Sequence, residues 1–343
     1  MSDRVLTLRE LSRATLARQL LLERKRVSPK ALVERLVGLQ AQWPSAPYVG
    51  MWTRATGFRR DALERELVRG TIVKANVMRQ TLHLVTPRDY ALIRAAQSET
   101  NYPWETALAK ELAPSVRALA AAGPVTAADG IAHVETEHGL SGIAARRAWQ
   151  AARIRAHLLH HHETALWRAR PDGRFVAVEE PELLDPTEAR AEILGRYLAA
   201  FGPASRRDIV AWSMLHMPEV KRSLERLEPL RRFRDEQGRE LLDVPRTPLP
   251  RPETPAPVRF LPKWDNVLLA FADRTRVLPE QYRKRVIGMN GDVAQTFLVD
   301  GFVAGTWRVE NERILLDPFA RLSRSVRGEV EEEAARLEAF LAD

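Results

Sequence analysis

Through the first 240 residues, apolar positions recur three and four apart with polar residues between them, the spacing of helices buried along one face. Leu16, Leu20 and Leu21 mark a first helix ending near Arg26. Ala31, Leu32, Leu36 and Leu39 mark a second over residues 29–39, with Ser28 as its cap and Pro29 at its first position. Leu63 and Leu67 face inward on a third over residues 61–69. The pattern then shifts: residues 72–74 and 78–85 read as strands, the second partly alternating. Three short helices and a strand pair make the winged variant of the helix-turn-helix.

The same order recurs twice. Residues 89–97 and 106–122 read as helices, Pro124 opens another that runs to His138, and residues 144–161 form a long helix rich in arginine. Residues 166–178 read as a hairpin turning at Pro171-Asp172-Gly173. In the third stretch, residues 187–201, 203–212 and 219–227 read as helices, and residues 231–244 as a hairpin turning at Gln237-Gly238. Residues 123–129 and 202–208 share the frame Gly-Pro-x-[Ser/Thr]-x-x-Asp, a weak internal repeat. Six prolines between residues 245 and 257 predict a stiff connector. Strands then dominate, at 258–261, 296–299, 302–309 and 313–316, before a closing helix over 326–341 that caps this part or leans on a basic surface. The expected fold is α+β. It has winged-helix units at 1–86, 87–186 and 187–245, a connector at 246–257, and a β-rich domain at 258–343, arranged as a C-shaped cleft for DNA.

Composition narrows the function. The 343 residues include 45% hydrophobic ones, enough for a sizeable core, and no cysteine. That excludes a disulfide framework, a thiol nucleophile and a cysteine-ligated metal. No run of about 18 apolar residues is present to span a membrane, and the first residues lack the long apolar stretch of a secretory signal. The expected location is therefore the cytoplasm, at the nucleoid. The net charge is +8, but residues 328–343 hold six acids against Arg336, which leaves +13 on the rest. An arginine-rich surplus suits a polyanion and its phosphates, although a generally basic proteome leaves the same mark.

Candidate chemistry centres on Gly38-Leu39-Gln40-Ala41-Gln42-Trp43-Pro44. Two glutamines two apart on a continuous helix would point roughly 200° from each other. A residue before proline is pushed out of the helical region, so the helix ends by Trp43. Where the chain unwinds, both amides can face one cleft. On its own, a Gln-x-Gln at a helix end is most often a solvated surface pair.

The surrounding segments add weight. Residues 38–42 with Pro47-Tyr-Val-Gly-Met-Trp-Thr-Arg54, Arg79-Gln-Thr-Leu-His-Leu-Val85, Leu261-Pro-x-x-Asp265 and Ala272-Asp-Arg-Thr-Arg276 resemble the AlkZ-type family of winged-helix DNA glycosylases, over residues 6–320. The resemblance implies excision of bulky N7-alkylguanine adducts and unhooking of interstrand crosslinks in duplex DNA, with no cofactor. It assigns this chain to the Gln-x-Gln branch, with Gln40 and Gln42 catalytic and a small Ala41 where the family carries a bulkier apolar residue. It also implies an open cleft rather than a tight pocket for an everted base; a chain that surrounds DNA by itself needs no partner, so a monomer is expected. No lysine stands out as a Schiff-base nucleophile, so strand cleavage is not expected.

On the resemblance, Arg79, Thr81 and His83 alternate along one strand near the glutamines, with a structural role for His83 and Arg79 equally open. Trp43 and Tyr48 line the lesion cleft or simply pack. Arg54, Trp264, Asp265, Arg274 and Arg276 complete the expected DNA-binding set, with Asp265 or Asp273 as holders of the arginines and Arg283-Lys284-Arg285 as a backbone contact. His157 and the run His160-His161-His162 with Glu163 raise a metal reading, but neighbouring histidines on a helix point apart, so no metal is expected. Two rivals remain: a winged-helix transcriptional regulator that reads a defined operator, and a damage-binding protein that releases no base.

Overall fold

The computed structural model describes residues 4–98, 106–169, 173–179 and 184–343. The chain runs β1 (Val5–Leu6), α1 (Leu8–Arg18), α2 (Pro29–Arg35), β2 (Leu39–Gln40), α3 (Ala46–Trp52), α4 (Arg60–Val68), β3 (Val73–Asn76) and β4 (Leu82–Val85). It continues through α5 (Pro87–Gln97), α6 (Ala107–Ala121), β5 (Val125–Thr126), α7 (Ala127–His138), α8 (Gly142–Arg155), β6 (Leu159–His160) and β7 (Arg174–Val176). Next come α9 (Pro186–Phe201), α10 (Arg206–Ser213), α11 (Met217–Glu225) and the hairpin of β8 (Arg231–Asp235) with β9 (Glu240–Asp243). The last part holds β10 (Arg259–Leu261), α12 (Asn266–Leu269), α13 (Arg283–Val286), β11 (Thr296–Val299), β12 (Phe302–Glu310), β13 (Arg313–Pro318) and α14 (Arg324–Ala342).

Helix starts follow local chemistry. Thr7, Thr126 and Ser205 each accept from the backbone N–H three residues on, and the acid at that position bonds back, giving full capping boxes. Several helix ends depart from the periodic pattern. The first helix stops at Arg18 rather than near Arg26, where Leu20 turns left-handed at φ +55°. The second stops at Arg35, followed by Val37 at φ +56° and Gly38 at φ +93°. The arginine-rich helix stops at Arg155, with His157 at φ +56°, and Leu159–His160 becomes a strand.

The hairpin expected over 166–178 is not formed as drawn. Its second arm, β7, pairs with β6, while residues 166–169 carry no strand, and the expected Pro171-Asp172 turn lies outside the described residues. Trp167 is drawn instead against Tyr48 and Phe340 at ring distances of 5.3 and 5.9 Å. Helix α3 was not anticipated at all.

Strand pairing crosses the sequence boundaries. One six-stranded sheet, in order β2-β4-β3-β6-β7-β5, joins strands from either side of residue 86. A second joins β1 in parallel to the β8–β9 hairpin. The third, β10-β11-β12-β13, is antiparallel and lies wholly in the C-terminal part. The proline-rich segment is strapped along α1: Arg9, Arg13 and Arg18 donate to the carbonyls of Pro252 (2.7 Å), Thr254 (2.6 Å) and Pro248 (3.0 Å). Arg18 also grips Asp243 through two bonds of 2.7 and 3.0 Å in a dry interior. Helix α14 buries Val330, Ala334, Leu337 and Phe340 in the core that holds Phe297 and Trp307. Its Glu333 is fully covered and receives Arg24 at 2.6 Å, so the acidic helix both caps the C-terminal part and leans on basic residues. Among the described residues, no helix is long and apolar enough to cross a membrane.

Candidate active site

The glutamine pair sits where α2 gives way to β2. The two left-handed residues Val37 and Gly38 turn the chain out of the helix and into an edge strand. Gly38 is required there: a Cβ would lie 3.0 Å from Val85 Cγ1 and 3.2 Å from the Leu84 carbonyl, at a φ that L side chains rarely adopt. In the ladder Leu39 lies opposite Leu84, and Gln40 opposite His83. The Ala41 N–H continues it with a bond of 2.7 Å to the Leu82 carbonyl. Gln40 closes this short strand, and the chain bends at Gln42 and Trp43.

Their environments differ. Gln40 is buried, and its Oε1 has no hydrogen-bond partner. Gln42 is exposed, and its Oε1 accepts weakly from the Leu82 N–H at 3.4 Å. Trp43 beside it is 53% exposed.

His83 is buried, with Nδ1 3.0 Å from the Thr81 carbonyl oxygen. Burial first, and the nearby Arg79 charge second, lower its pKa to about 3, against the weaker opposite pull of that hydrogen bond. The imidazole is therefore neutral at physiological pH. Neither Arg79 nor Thr81 lies on the strand of His83 as the alternation suggested: that strand begins at Leu82. Arg79 lies in a short 3-10 turn over residues 78–80, at φ +53°, with Gln80 at φ +57°. Its Nη1 reaches the Trp212 carbonyl at 3.5 Å, and among the described residues it forms no ion pair. Burial, then Arg274, lower its pKa to about 10, so it remains charged. Arg79, His83, Leu36, Trp212, Asn266 and Ala270 line one narrow crevice beside the glutamine strand.

Four expected contact residues are not at a surface that DNA can reach. Tyr48 is fully buried, and its hydroxyl donates to the Ala165 carbonyl at 3.1 Å. Arg54 and Asp265 form a dry, two-bond ion pair at 2.7 and 2.9 Å. Arg276 is buried over the Phe271 ring at 4.2 Å and donates to the Pro203 carbonyl. These side chains fasten elements together. Thr81, Trp264 and Arg274 are half-buried: Thr81 donates to the Met78 carbonyl, Trp264 to that of Gly291 and Arg274 to that of Leu268. Arg283 and Arg285 are exposed beside Glu280 and Asp317. Asp273 engages Arg239 rather than Arg274 or Arg276.

His161 and His162 do not diverge: the long helix ends at Arg155, and they stand where β6 passes into a short 3-10 turn over residues 162–165. Their rings lie 4.3 Å apart, and with Glu163 they place three donor atoms within 4.8 Å. Arg174 already holds the Glu163 carboxylate at 2.8 Å.

The residue that pattern reading missed is Asn266. Its Nδ2 donates to the Gly38 carbonyl at 2.7 Å and points a longer contact, 3.4 Å, at that of Leu36. No sequence signal joins positions so far apart; only the fold brings them together.

With this geometry in hand, the comparisons fall into line. A family model described as DNA glycosylase AlkZ-like matches residues 33–340. The chain is 24% identical over 351 positions to an interstrand DNA cross-link repair glycosylase of Streptomyces sahachiroi, covering 93% of this chain and 92% of that one. The solved structure of the Streptomyces sahachiroi DNA glycosylase AlkZ shares the fold, with a TM-score of 0.81 at 21% identity over 98% of this chain and 97% of that one. A match across nearly the whole length sets aside a transcriptional regulator and a non-enzymatic damage-binding protein: this chain, α+β in fold, belongs to the AlkZ-like DNA glycosylase family.

Proposed function

We propose that this protein hydrolyses the N-glycosidic bond of guanines carrying a bulky N7 substituent in duplex DNA, crosslinked guanines included, and leaves the strand uncut. The observation that carries the reading is the Gln40 amide oxygen, buried and unpartnered two residues before an exposed Gln42. A desolvated carbonyl without a partner costs about 1–3 kcal/mol, and a positively charged sugar brought against it would offset that cost.

N7-alkylation makes the base cationic, so the departing purine leaves neutral and needs no proton. Water attacks C1′ as the C1′–N9 bond breaks; the bonding pair neutralises the purine, and the proton of the water passes to solvent. The remaining demand is a dipole for the oxocarbenium-like sugar and a held water. Glutamine does not titrate and serves as an orienting acceptor rather than a base. In this reading Gln40 faces the sugar and Gln42 orients the water. His83, with its pKa near 3, is too weak a base to compete for the proton. Trp43 offers its open face to the lesion, while Arg79 and Arg274 meet phosphate. The relative named for interstrand DNA cross-link repair supports crosslinked bases over simple methylated ones. The protein would act as a monomer at the nucleoid, in base excision repair or self-resistance to a genotoxin.

The test uses duplexes with a defined N7 adduct, followed by alkali and a gel. Gln40→Ala and Gln42→Ala should each slow excision about 100-fold or more, the usual cost of removing one preorganised dipole. Undiminished release by the double variant would overturn the reading.

A further inference from the structure

The segment carrying the glutamines is held from outside at both ends by one short element. Helix α12 begins with Asp265 as its cap, accepting from the Val267 N–H, and with Asn266 as its first residue. On the entry side, the two hydrogens of the Asn266 amide are directed at the carbonyls of Gly38 and Leu36, on either side of the left-handed turn. A carboxamide oxygen in that place would face two carbonyls and repel them, so the donor end must point there. On the exit side, Arg54 spans the Gly50 carbonyl and the Asp265 carboxylate, which bolts the end of α3 to the start of α12. Residues 39–49, Gln40 and Gln42 among them, therefore run between two anchors set on adjacent residues of the C-terminal part. The two anchors differ in kind. Arg54–Asp265 is a dry ion pair, whereas Asn266 contacts backbone only, at the turn that sets the direction of Gln40.

We infer that Asn266 is a positioning residue for excision: it holds the Leu36–Gly38 turn so that the Gln40 amide is aimed into the site. The inference rests on the proposed catalytic role of the glutamines. A preorganised group displaced by about 1 Å costs on the order of 100-fold in rate. Loss of the clamp would therefore appear in the chemical step and leave DNA binding alone.

The experiment compares Asn266→Ala, Asn266→Asp and Asn266→Ser with the parent. It measures single-turnover excision from an N7-alkylguanine duplex, affinity for the same duplex, and the thermal midpoint. Asn266→Ala should excise 10- to 100-fold more slowly with affinity within twofold and the midpoint within a few degrees. Asn266→Asp should be slower still, and Asn266→Ser intermediate. Combined with Gln40→Ala, Asn266→Ala should add no further loss, because a residue that acts through Gln40 has nothing left to aim.

A folded Asn266→Ala that excises at the parental rate would overturn the inference. So would a rate loss that multiplies with that of Gln40→Ala, or one matched by an equal loss of affinity. Loss of fold in all three variants would assign Asn266 to global stability and overturn it as well. If instead Gln40→Ala and Gln42→Ala keep full activity, the catalytic reading itself fails, whatever Asn266 does. Inactive glutamine variants beside a fully active Asn266→Ala would sink the positioning role alone.

Discussion

At the scale of single residues, burial does most of the chemistry around the glutamine strand. His83 and His157 are both covered, and burial is the largest cause lowering their pKa values, to about 3 and about 4. An ordinary histidine in the unfolded chain titrates near 6.5. Between that value and the folded ones, the unfolded state binds more protons, so stability falls as pH drops below about 6.5 and is fully present above it. Each histidine contributes a slope of at most about 1.4 kcal/mol per pH unit in that window. Urea midpoints at pH 7.5 and pH 5.0 should fall accordingly, and His83→Gln should flatten the slope. A midpoint constant across that range would contradict the burial of these rings in solution. The histidine was legible as a member of the motif; its neutrality was not, because covering a side chain is the work of distant segments.

At the scale of elements, local signals placed most helices and misplaced several ends. Caps such as Ser28 and Thr126 are written in neighbouring residues and were readable. The left-handed stops at Leu20, Val37 and His157 were not, since none is a glycine, and their conformations are imposed by packing. Helix α3 was missed because Pro47 and Gly50 weaken its pattern, while the Arg54–Asp265 pair ties its end to α12. That pair allows a sharp comparison. Arg54→Met would leave the Asp265 carboxylate in a dry site without its counter-ion, a loss of about 3–5 kcal/mol. Removing the exposed Arg65–Asp61 pair should cost under about 1 kcal/mol. Chemical denaturation of both variants reads the difference. Similar small losses would mean that α3 is held by apolar packing alone.

At the scale of the whole molecule, charge separates from shape. The closing helix carries a local excess of acid, yet its Glu333 is consumed internally by Arg24. The positive surplus on the remaining residues suits a phosphate-bearing partner. If six to ten phosphates are neutralised, duplex affinity should fall about 10³- to 10⁵-fold between 50 and 200 mM salt. Anisotropy titrations with undamaged duplex measure this directly, and an affinity indifferent to salt would sink the view that the surplus positive charge binds DNA. The same scale explains the sheets. Strands from the first two stretches share one six-stranded ladder, and β1 reaches across the chain to β8, so units that look separate in sequence are joined by hydrogen bonds.

What the amino-acid sequence determined alone is most of the succession of helices and strands, the positive charge, and the placing of two amides just past the end of a helix, all properties of residues close along the chain. What only tertiary structure decided is which of those groups meet. It sealed Tyr48, Arg54, Asp265 and Arg276 inside, left Trp43 open, and brought Asn266 to the turn beside Gln40. The reason is physical: helix caps and periodicity act over a few residues, whereas burial and the satisfaction of carbonyls such as that of Gly38 depend on segments more than 200 residues away.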